Sequence, residues 1–306
     1  MAQDERGQTP ASILDGAAGD HVLGRSTEAL FSQPGQGSVP DIGADDRATI
    51  GRIVNLLATS RSILFITGAG LSADSGLPTY RDDEGLYRSE AIEEGLPVER
   101  ALSGDILHDH PELAWKYLAR MEEACRYARC NRAHEVIAEM ERHFERVWVL
   151  TQNVDGLHRL AGSRKVIDIH GDLHRLRCTK CLYHQTVADY SELALPPPCP
   201  QCPGLLRPEV VLFGEPLDLE QMTILFAELD EGFDLVFSVG TSSVFPYVAQ
   251  PIHAALALGR PTIEINPGVS EISAEVDIKL AMRAAPALDA IWRTYQQRFM
   301  VSAARP

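Results

Sequence analysis

The chain has 306 residues, of which 45% are hydrophobic, enough to bury a core and to exclude a mostly disordered protein. Its 28 basic and 43 acidic side chains give a net charge of −15 with the histidines neutral. A protein that binds nucleic acid directly needs a basic face that neutralises phosphates, so the negative net charge disfavours a nucleic-acid partner. The same charge is compatible with basic protein partners.

The first 45 residues are rich in Gly, Ala, Gln, Ser and Asp and lack helical or strand periodicity, so we expect a disordered extension there. Its opening stretch, MAQDERGQTPAS, carries acidic groups and no apolar segment, and no secretory signal is visible. Residues 235–259 contain no Asp, Glu, Lys or Arg, as a membrane span would. They also contain a Gly-Thr-Ser-Ser segment and two prolines, whose polar groups would lack hydrogen-bond partners in lipid. We therefore expect a cytoplasmic protein with no membrane partner.

From residue 46 onward, apolar runs typical of buried parallel strands alternate with helical patterns. The strand-like runs are SILFIT (62–67), RVWVLTQN (146–153), KVIDIHG (165–171), EVVLFGE (209–215), DLVFSVGTSS (234–243) and PTIEINP (261–267). This alternation predicts an α/β fold, a doubly wound, Rossmann-like parallel sheet with a smaller inserted zinc-ribbon and helical domain. We assign residues 46–86, 147–172 and 209–300 to the sheet domain, 87–146 to a helical insertion and 173–208 to a zinc-ribbon insertion.

A glycine-rich turn, GAGLSA (68–73), follows the first strand and fits the G-x-G-x-x-[GA] pattern. The pattern predicts a turn whose backbone N–H groups approach a pyrophosphate, with Ala73 allowing close helix packing; an ordinary strand–helix turn is the alternative. The acidic residue usual about twenty positions later is absent. Ser-Gly-Leu-Pro (75–78) ends the helix after barely one turn, so we expect the following loop, with Tyr80 and Arg81, to cover a bound cofactor.

Two Cys-x-x-Cys pairs lie seventeen residues apart, within zinc-ribbon spacing. Four thiolates complete a tetrahedron and leave no open position, so the predicted zinc is structural. Disulfides are the alternative, disfavoured without a secretory signal; His174 and His184 lie nearby as substitute ligands. The predicted ligands are Cys178, Cys181, Cys199 and Cys202.

Polar side chains follow several of the predicted strands. Gln152, Asn153 and Asp155 come after one strand and His170 after the next. Because ligands bind beyond the carboxyl ends of parallel strands, we expect these residues to share a crevice with the glycine turn. A neutral imidazole accepts a proton near pH 7, which makes His170 a candidate general base.

Two later strand ends add weaker candidates. Gly240, Thr241, Ser242 and Asn266 follow the last two strands and are positioned to contact the adenosine half of a dinucleotide through backbone and hydroxyl groups. Turn-forming residues are also expected at such strand ends without any ligand.

Taken together, these segments resemble the sirtuins, NAD-dependent protein lysine deacylases, of bacterial type. The segments that match in family order are GAGLSADSGLPTYR, TQNVDGLH, IHGDLH, the four cysteines, VVLFGE, VGTSS and EINP. The resemblance implies NAD and one structural zinc as cofactors and acyl-lysine proteins as substrates. It covers roughly residues 48–290.

The resemblance also implies residue roles. The pyrophosphate lies on Gly68, Ala69 and Gly70, and Asn153 and Asp155 hold the nicotinamide ribose and carboxamide. The acyl oxygen displaces nicotinamide, and His170 then acts as base on the ribose hydroxyls, which gives free lysine and 2′-O-acyl-ADP-ribose. The other implied cofactor-binding residues are Ser72, Ala73, Tyr80, Arg81, Gln152, Val154, Gly240, Thr241, Ser242, Asn266 and Ala284.

In the family, the substrate peptide adds as an extended strand between segments that match VVLFGE and SSVFPY, which places Val211, Phe213, Gly214 and Glu215 at the substrate. Family members that remove succinyl or malonyl groups carry a Tyr-x-x-Arg pair, and Tyr117 and Arg120 have that spacing. An arginine binds an acyl carboxylate bidentately. Leu102, where those members have a small residue, favours deacetylation, with desuccinylation or demalonylation as the alternative.

Two other classes of function remain open. The fold could cleave NAD without a lysine acceptor, as an NAD hydrolase or ADP-ribosyltransferase, and nicotinamide would then be released without acyl-peptide. A zinc-ribbon binding module beside an inert nucleotide fold is the third hypothesis. The joint presence of Asn153, Asp155 and His170 disfavours an inert site.

Overall fold

A computed structural model describes residues 42–79 and 96–300 of the chain. Six parallel strands form one sheet, and three antiparallel strands form a second, smaller sheet. In chain order the strands are β1 (Ser62–Thr67), β2 (Arg146–Thr151), β3 (Val166–Asp168), β4 (Gly171–Cys178), β5 (His184–Thr186), β6 (Leu206–Val210), β7 (Leu235–Val239), β8 (Thr262–Ile265) and β9 (Ile278–Leu280).

The parallel sheet has the strand order β3-β2-β1-β7-β8-β9. In order of appearance in this sheet, the strands run 3-2-1-4-5-6, which is the doubly wound dinucleotide-binding order. The predicted fold class is confirmed. The order reverses between β1 and β7, so a ligand crevice is expected at the carboxyl ends of these two strands.

Helices cover both faces of the parallel sheet. No helix of residues 42–79 and 96–300 combines the length and the apolar character needed to cross a membrane. In chain order the helices are α1 (Ala44–Thr59), α2 (Ala69–Ser72), α3 (Val98–Ala101), α4 (Gly104–Asp109), α5 (Pro111–Cys125), α6 (Arg132–His143), α7 (Leu157–Leu160), α8 (Leu219–Glu231), α9 (Pro246–Ala257) and α10 (Ala284–Tyr295).

Successive side chains of a strand point to opposite faces of the sheet. Because helices cover both faces, the side chains of the central strands are buried on either side. Ile63 and Phe65 of β1 pack with α1, α6 and α10, whereas Leu64 and Ile66 pack with α8 and α9. The ring of Phe65 stacks on Phe237 of β7 with 4.8 Å between centroids. These two layers hold the strand ends, and the polar residues that follow them, in fixed positions.

The smaller sheet, in the order β5-β4-β6, shares an apolar core with α3, α4 and α5. The indole Nε1 of Trp115 in α5 donates 3.1 Å to the carbonyl of Leu206, and its ring lies 5.3 Å from that of Tyr190. Helix α6, which lies in the predicted helical insertion, instead buries its apolar face against the parallel sheet. The domain boundaries given above stay a prediction.

Candidate functional site

The turn after β1 starts the site. This segment forms one short helix, α2, followed by a 3-10 turn over Ala73–Ser75. The 3-10 turn ends at Gly76, which has the left-handed conformation with φ +83°. The early helix end predicted from the sequence is therefore observed. The loop that was predicted to cover the cofactor begins here, and its Tyr80 and Arg81 lie outside the described residues.

The glycines of this turn pack directly against the end of β7. The N–H groups of Gly68 and Gly70 donate to the carbonyls of Val239 (3.2 Å) and Gly240 (2.8 Å). A Cβ on Gly70 would lie 2.7 Å from the Cα of Gly240. The N–H groups of Gly68 and Gly70 thus bond to protein, while the predicted position of a pyrophosphate on this turn stays a prediction. The glycines are required because two backbones meet at the switch point.

Three side chains form a fixed network beside this turn. The hydroxyl of Ser72 donates 2.7 Å to Oδ2 of Asp155, and it accepts from Nδ2 of Asn153 at 3.0 Å. Asn153 Nδ2 also donates 3.1 Å to the carbonyl of Gly68. The Leu157 N–H donates 2.9 Å to Oδ1 of Asp155. The sequence expectation that Asn153 and Asp155 lie at the glycine turn agrees with this geometry.

Asp155 is buried, with 9% of its surface exposed. Burial raises the pKa of its carboxyl, and the hydrogen bonds from Leu157 and Ser72 oppose that rise. Each oxygen already accepts one hydrogen bond and keeps a further lone pair. The group is therefore suited to accept from a ribose hydroxyl or an amide.

A second network joins the ends of β2, β7 and β8. The amide Nε2 of Gln152 donates 2.7 Å to Oγ1 of Thr241, and Nδ2 of Asn266 donates 3.0 Å to the Thr241 carbonyl. Three residues that the sequence suggested for cofactor binding thus lie together at one edge of the sheet. Their role in binding stays a prediction.

His170 follows β3 and connects to the same edge. Its Nδ1 lies 3.0 Å from the backbone carbonyl of Gln152, and its Nε2 lies 2.6 Å from the hydroxyl of Tyr247. A carbonyl only accepts, so Nδ1 carries the proton and Nε2 carries the lone pair. Burial lowers the pKa of His170, against a smaller opposite effect of the Gln152 carbonyl. The lowered pKa favours the neutral imidazole, with its lone pair at Nε2.

Tyr247 was missed as a site residue, although it belongs to the SSVFPY segment. It lies in the first turn of α9 and reaches His170 only through the fold. The available signal was the pair of aromatic residues, Phe245 and Tyr247, directly after a strand-end loop; their rings stack with 5.5 Å between centroids.

The remaining predicted cofactor residues surround this edge. Asp74, which follows α2, bonds to the backbone N–H of Ala285 (2.9 Å) and pairs with Arg283 (2.7 Å), which brings the start of α10 and the buried Ala284 to the glycine turn. The carbonyl of Val154 accepts from Leu173, and that of Ser242 accepts from Glu271. Ala69 and Ala73 lie in the turn itself.

The VVLFGE segment is held more tightly than the sequence indicated. The Phe213 N–H donates 3.0 Å to the Leu102 carbonyl, and the Phe213 carbonyl accepts from Gly104 at 3.1 Å. The Val211 N–H donates to the His170 carbonyl at 2.9 Å. Gly214 has φ +83°, and a Cβ there would meet no atom within 4 Å.

Glu215 was predicted at the substrate, but its carboxylate is engaged by protein. Arg207 contacts both oxygens at 2.5 and 2.9 Å, and the Leu212 N–H donates to Oε2 at 2.9 Å. Its side chain shapes the segment, and its contact with a substrate stays a prediction.

The predicted acyl-recognition pair lies on α5. Tyr117 is 4% exposed and packs in the core shared by the helical segment and the smaller sheet. The guanidinium of Arg120 lies 5.6 Å from the centroid of the Tyr117 ring. Leu102 is also buried, at 4% exposed. The acyl preference stays a prediction.

The four predicted cysteines come together between β4 and β6, with all sulfurs within 4.8 Å of one another. Cys178 and Cys202 lie 3.4 Å apart, and Cys181 and Cys199 lie 3.7 Å apart. A zinc tetrahedron with bonds of about 2.3 Å has sulfur–sulfur edges of about 3.8 Å, so the set fits zinc. Backbone N–H groups donate to Cys178 and Cys199, as expected around thiolates.

The two nearby histidines serve other partners. His174 Nδ1 lies 3.3 Å from Asp172, and His184 Nδ1 lies 2.6 Å from Glu209. The four sulfurs therefore complete the coordination set without an imidazole. A closed set of this kind indicates a structural metal.

Comparison with known proteins agrees with this site. A family model described as the Sir2 family matches residues 68–246. NAD-dependent protein deacylase 2 of Pseudomonas aeruginosa is 48% identical over 243 residues, 78% of this chain and 94% of the relative. The NAD-dependent protein deacylase of Aeropyrum pernix is 40% identical over 232 residues, 75% and 90% of the two chains.

Solved structures are similar as well. A Sir2 homologue in complex with NAD superposes with a TM-score of 0.73 at 33% identity, over 81% of this chain and 94% of that one. A mutant Sir2 with a deacetylated p53 peptide and 3′-O-acetyl ADP-ribose gives a TM-score of 0.71 at 27% identity, over 80% and 98% of the two chains.

Proposed function

The chain belongs to the Sir2 family, and on that premise we propose that it is an NAD-dependent protein lysine deacylase. In this reaction the acyl group of a lysine side chain passes to ADP-ribose and nicotinamide is released. Relatives named as NAD-dependent protein deacylases, and Sir2 homologues solved with NAD and with an acetyl ADP-ribose, support the proposal.

The proposed catalytic step rests on one observation, the tautomer and protonation of the His170 imidazole. A protein carbonyl fixes the proton on Nδ1, burial disfavours the imidazolium, and the lone pair at Nε2 lies at the carboxyl edge of the sheet. His170 is the general base in our proposal, because a neutral imidazole held in one tautomer takes a hydroxyl proton at a defined atom.

The residues present fit NAD. The site lies at the switch point of a doubly wound sheet and combines a buried carboxylate, three carboxamides and two hydroxyls, a set suited to ribose and carboxamide groups. NAD, when bound, supplies an activated ribose that accepts the acyl group. We propose that Asn153 and Asp155 orient its nicotinamide end and that Thr241 and Asn266 lie at its adenosine end.

The acyl-lysine peptide is proposed to bind as an added strand beside the VVLFGE segment. Three apolar side chains near it remain partly exposed: Phe213 at 38%, Val244 at 45% and Phe245 at 42%. Single exposed apolar residues are common, but these belong to the two segments that flank the peptide in the family. Backbone pairing gives affinity with little dependence on the peptide sequence.

The zinc site holds the smaller sheet together in our proposal and takes no part in the chemistry. Its four sulfurs leave no ligand position for a water or substrate. We therefore assign the deacylation reaction to the start of β4, next to His170, whereas the zinc ligand Cys178 lies at the end of that strand.

The experiment that tests the function is a product balance. Purified protein with NAD is incubated with acetyl-, succinyl- and longer acyl-lysine peptides and with no peptide, and nicotinamide, free lysine peptide and acyl-ADP-ribose are quantified. The proposal predicts equal amounts of all three products and nicotinamide release that depends on an acyl-peptide. Equal release without peptide would favour an NAD hydrolase.

A further inference from the structure

The imidazole of His170 has a partner that the deacylation reaction does not require. Tyr247 lies in the first turn of α9, and its hydroxyl is 2.6 Å from Nε2 of His170. The ring of Phe245 stacks on Tyr247 at an interplanar angle of 13° and meets the imidazole edge-on at 5.9 Å between centroids. The aromatic pair therefore fixes where the Tyr247 hydroxyl points.

The direction of this hydrogen bond follows from its neighbours. Because the Gln152 carbonyl requires a proton on Nδ1, Nε2 is the acceptor and the Tyr247 hydroxyl is the donor. Burial raises the pKa of Tyr247 to about 12, so the hydroxyl keeps its proton at neutral pH. Both ring nitrogens of His170 are thus occupied by protein groups.

We propose that Tyr247 is a positioning residue for the base: its hydroxyl holds the His170 imidazole in the tautomer with the lone pair at Nε2 and occupies that lone pair until a substrate hydroxyl replaces it. This inference rests on the proposed function, in which Nε2 accepts a proton. One nitrogen lone pair accepts one strong hydrogen bond, so the two hydroxyls exchange and do not bind together.

The exchange has a consequence for the basicity of His170. The Tyr247 hydroxyl donates to Nε2 of the neutral ring, and it can rotate to accept from Nε2–H once the ring is protonated; the hydrogen bond to the charged ring is the stronger of the two. Among the residues that the structure describes, no carboxylate or cation pairs with this imidazole, and its hydrogen-bond partners are the Gln152 carbonyl and Tyr247. Removal of the Tyr247 hydroxyl therefore makes His170 harder to protonate.

The test is Tyr247→Phe, which removes one oxygen and keeps the stacked ring. The titration of His170 is followed by ¹⁵N NMR of the imidazole in the substrate-free full chain, with His170→Gln to assign the signal. The hydrogen bond to the charged ring exceeds that to the neutral ring by about 1 kcal/mol, so the pKa of His170 falls by about half to one pH unit. The acid limb of the kcat/KM profile moves to lower pH by the same amount.

The chain contains a matched control. The hydroxyl of Tyr295 lies 3.2 Å from Nε2 of His143, in a second tyrosine–histidine pair outside the site. Tyr295→Phe removes the same kind of contact, and the His170 titration and the kcat/KM profile stay as in the wild type. A shift in this control would mean that loss of any such hydroxyl changes the protein globally, and it would overturn the interpretation.

The outcomes separate this inference from the proposed function. An unchanged or raised His170 pKa in Tyr247→Phe overturns the positioning role alone. A lowered His170 pKa with an unmoved acid limb overturns His170 as the base, and with it the part of Tyr247 in catalysis. Matching shifts in both measurements support both statements.

Discussion

The hydroxyl of Ser72 bridges two side chains from another strand end: it donates 2.7 Å to the buried carboxylate of Asp155 and accepts from Asn153. Ser72 belongs to the turn after β1, whereas its partners follow β2. One hydroxyl therefore sets the relative position of the glycine turn and the two residues proposed to orient the nicotinamide end of NAD.

Ser72→Ala is expected to weaken NAD binding about tenfold, since it leaves a buried carboxylate with one donor fewer. The measurement is calorimetric titration with NAD. Ser191→Ala is the control, because Ser191 also donates to a carboxylate, that of the partly exposed Asp189, far along the chain in the ribbon segment. Equal NAD affinity in the two variants would show that the Ser72 bridge does not shape the site.

Removal of zinc is expected to loosen more than the ribbon. Cys178 and Cys199 belong to the same apolar core as Trp115 and Leu118 of α5. A strong chelator should therefore lower amide protection in α5 and β6 together by at least about tenfold, while β1 and β7 keep theirs. Hydrogen exchange read by mass spectrometry measures both. Loss confined to residues 173–208 would mean that the helices and the ribbon are stabilised independently.

Arg120→Met tests the acyl preference. If Arg120 binds an acyl carboxylate, succinyl-lysine turnover falls about tenfold or more while acetyl-lysine turnover changes little, because the charged hydrogen bonds are made only to the acidic acyl group. Steady-state rates on paired peptides measure this. Arg100→Met, at an exposed position of α3, is the control. Equal losses on both acyl groups would remove Arg120 from substrate recognition.

Acid should destabilise the fold through a buried histidine pair. The rings of His134 and His158 lie 5.0 Å apart, burial lowers the pKa of His134 to about 3, and burial also lowers that of His158. The folded protein keeps them neutral, whereas unfolded histidines titrate near pH 6.5. Their contribution is therefore complete above about pH 6.5 and is lost as the pH falls toward 3.

His134→Gln is the corresponding variant. Between pH 7.5 and 5.5, the wild type should lose about 1 kcal/mol more free energy of unfolding than this variant, from the titration of one histidine. Urea unfolding at the two pH values gives the difference. A variant with the wild-type pH slope would contradict the account.

The sheet and the zinc ligands follow from the sequence because their signals are local. Apolar runs such as SILFIT lie on buried strands, and the spacing of Cys178, Cys181, Cys199 and Cys202 already meets the geometry of a closed site. The early end of the helical turn after α2, at Gly76, is likewise set by neighbouring residues. In each case the sequence signal, whether an apolar run, a cysteine spacing or a helix-ending glycine, lies within a short stretch of chain.

The polar contacts that the motifs do not specify have the opposite origin. The N–H groups of Gly68 and Gly70 bond to β7 because β1 and β7 are neighbours at the switch point, which the glycine pattern does not specify. Arg207 engages Glu215, and Tyr247 meets His170, through folds of the chain that bring separate segments together. A motif identifies the residue types at a site, but tertiary packing decides which of their polar groups remain available.

The central claim is that His170 accepts the proton in an NAD-dependent deacylation, and His170→Ala tests it most directly. The measurements are turnover of an acyl-lysine peptide, NAD affinity and zinc content, with His253→Ala as the control. The account predicts that turnover falls by about a hundredfold or more, as expected for loss of a general base, while NAD affinity and zinc content match the wild type. Near-normal turnover in His170→Ala would contradict it.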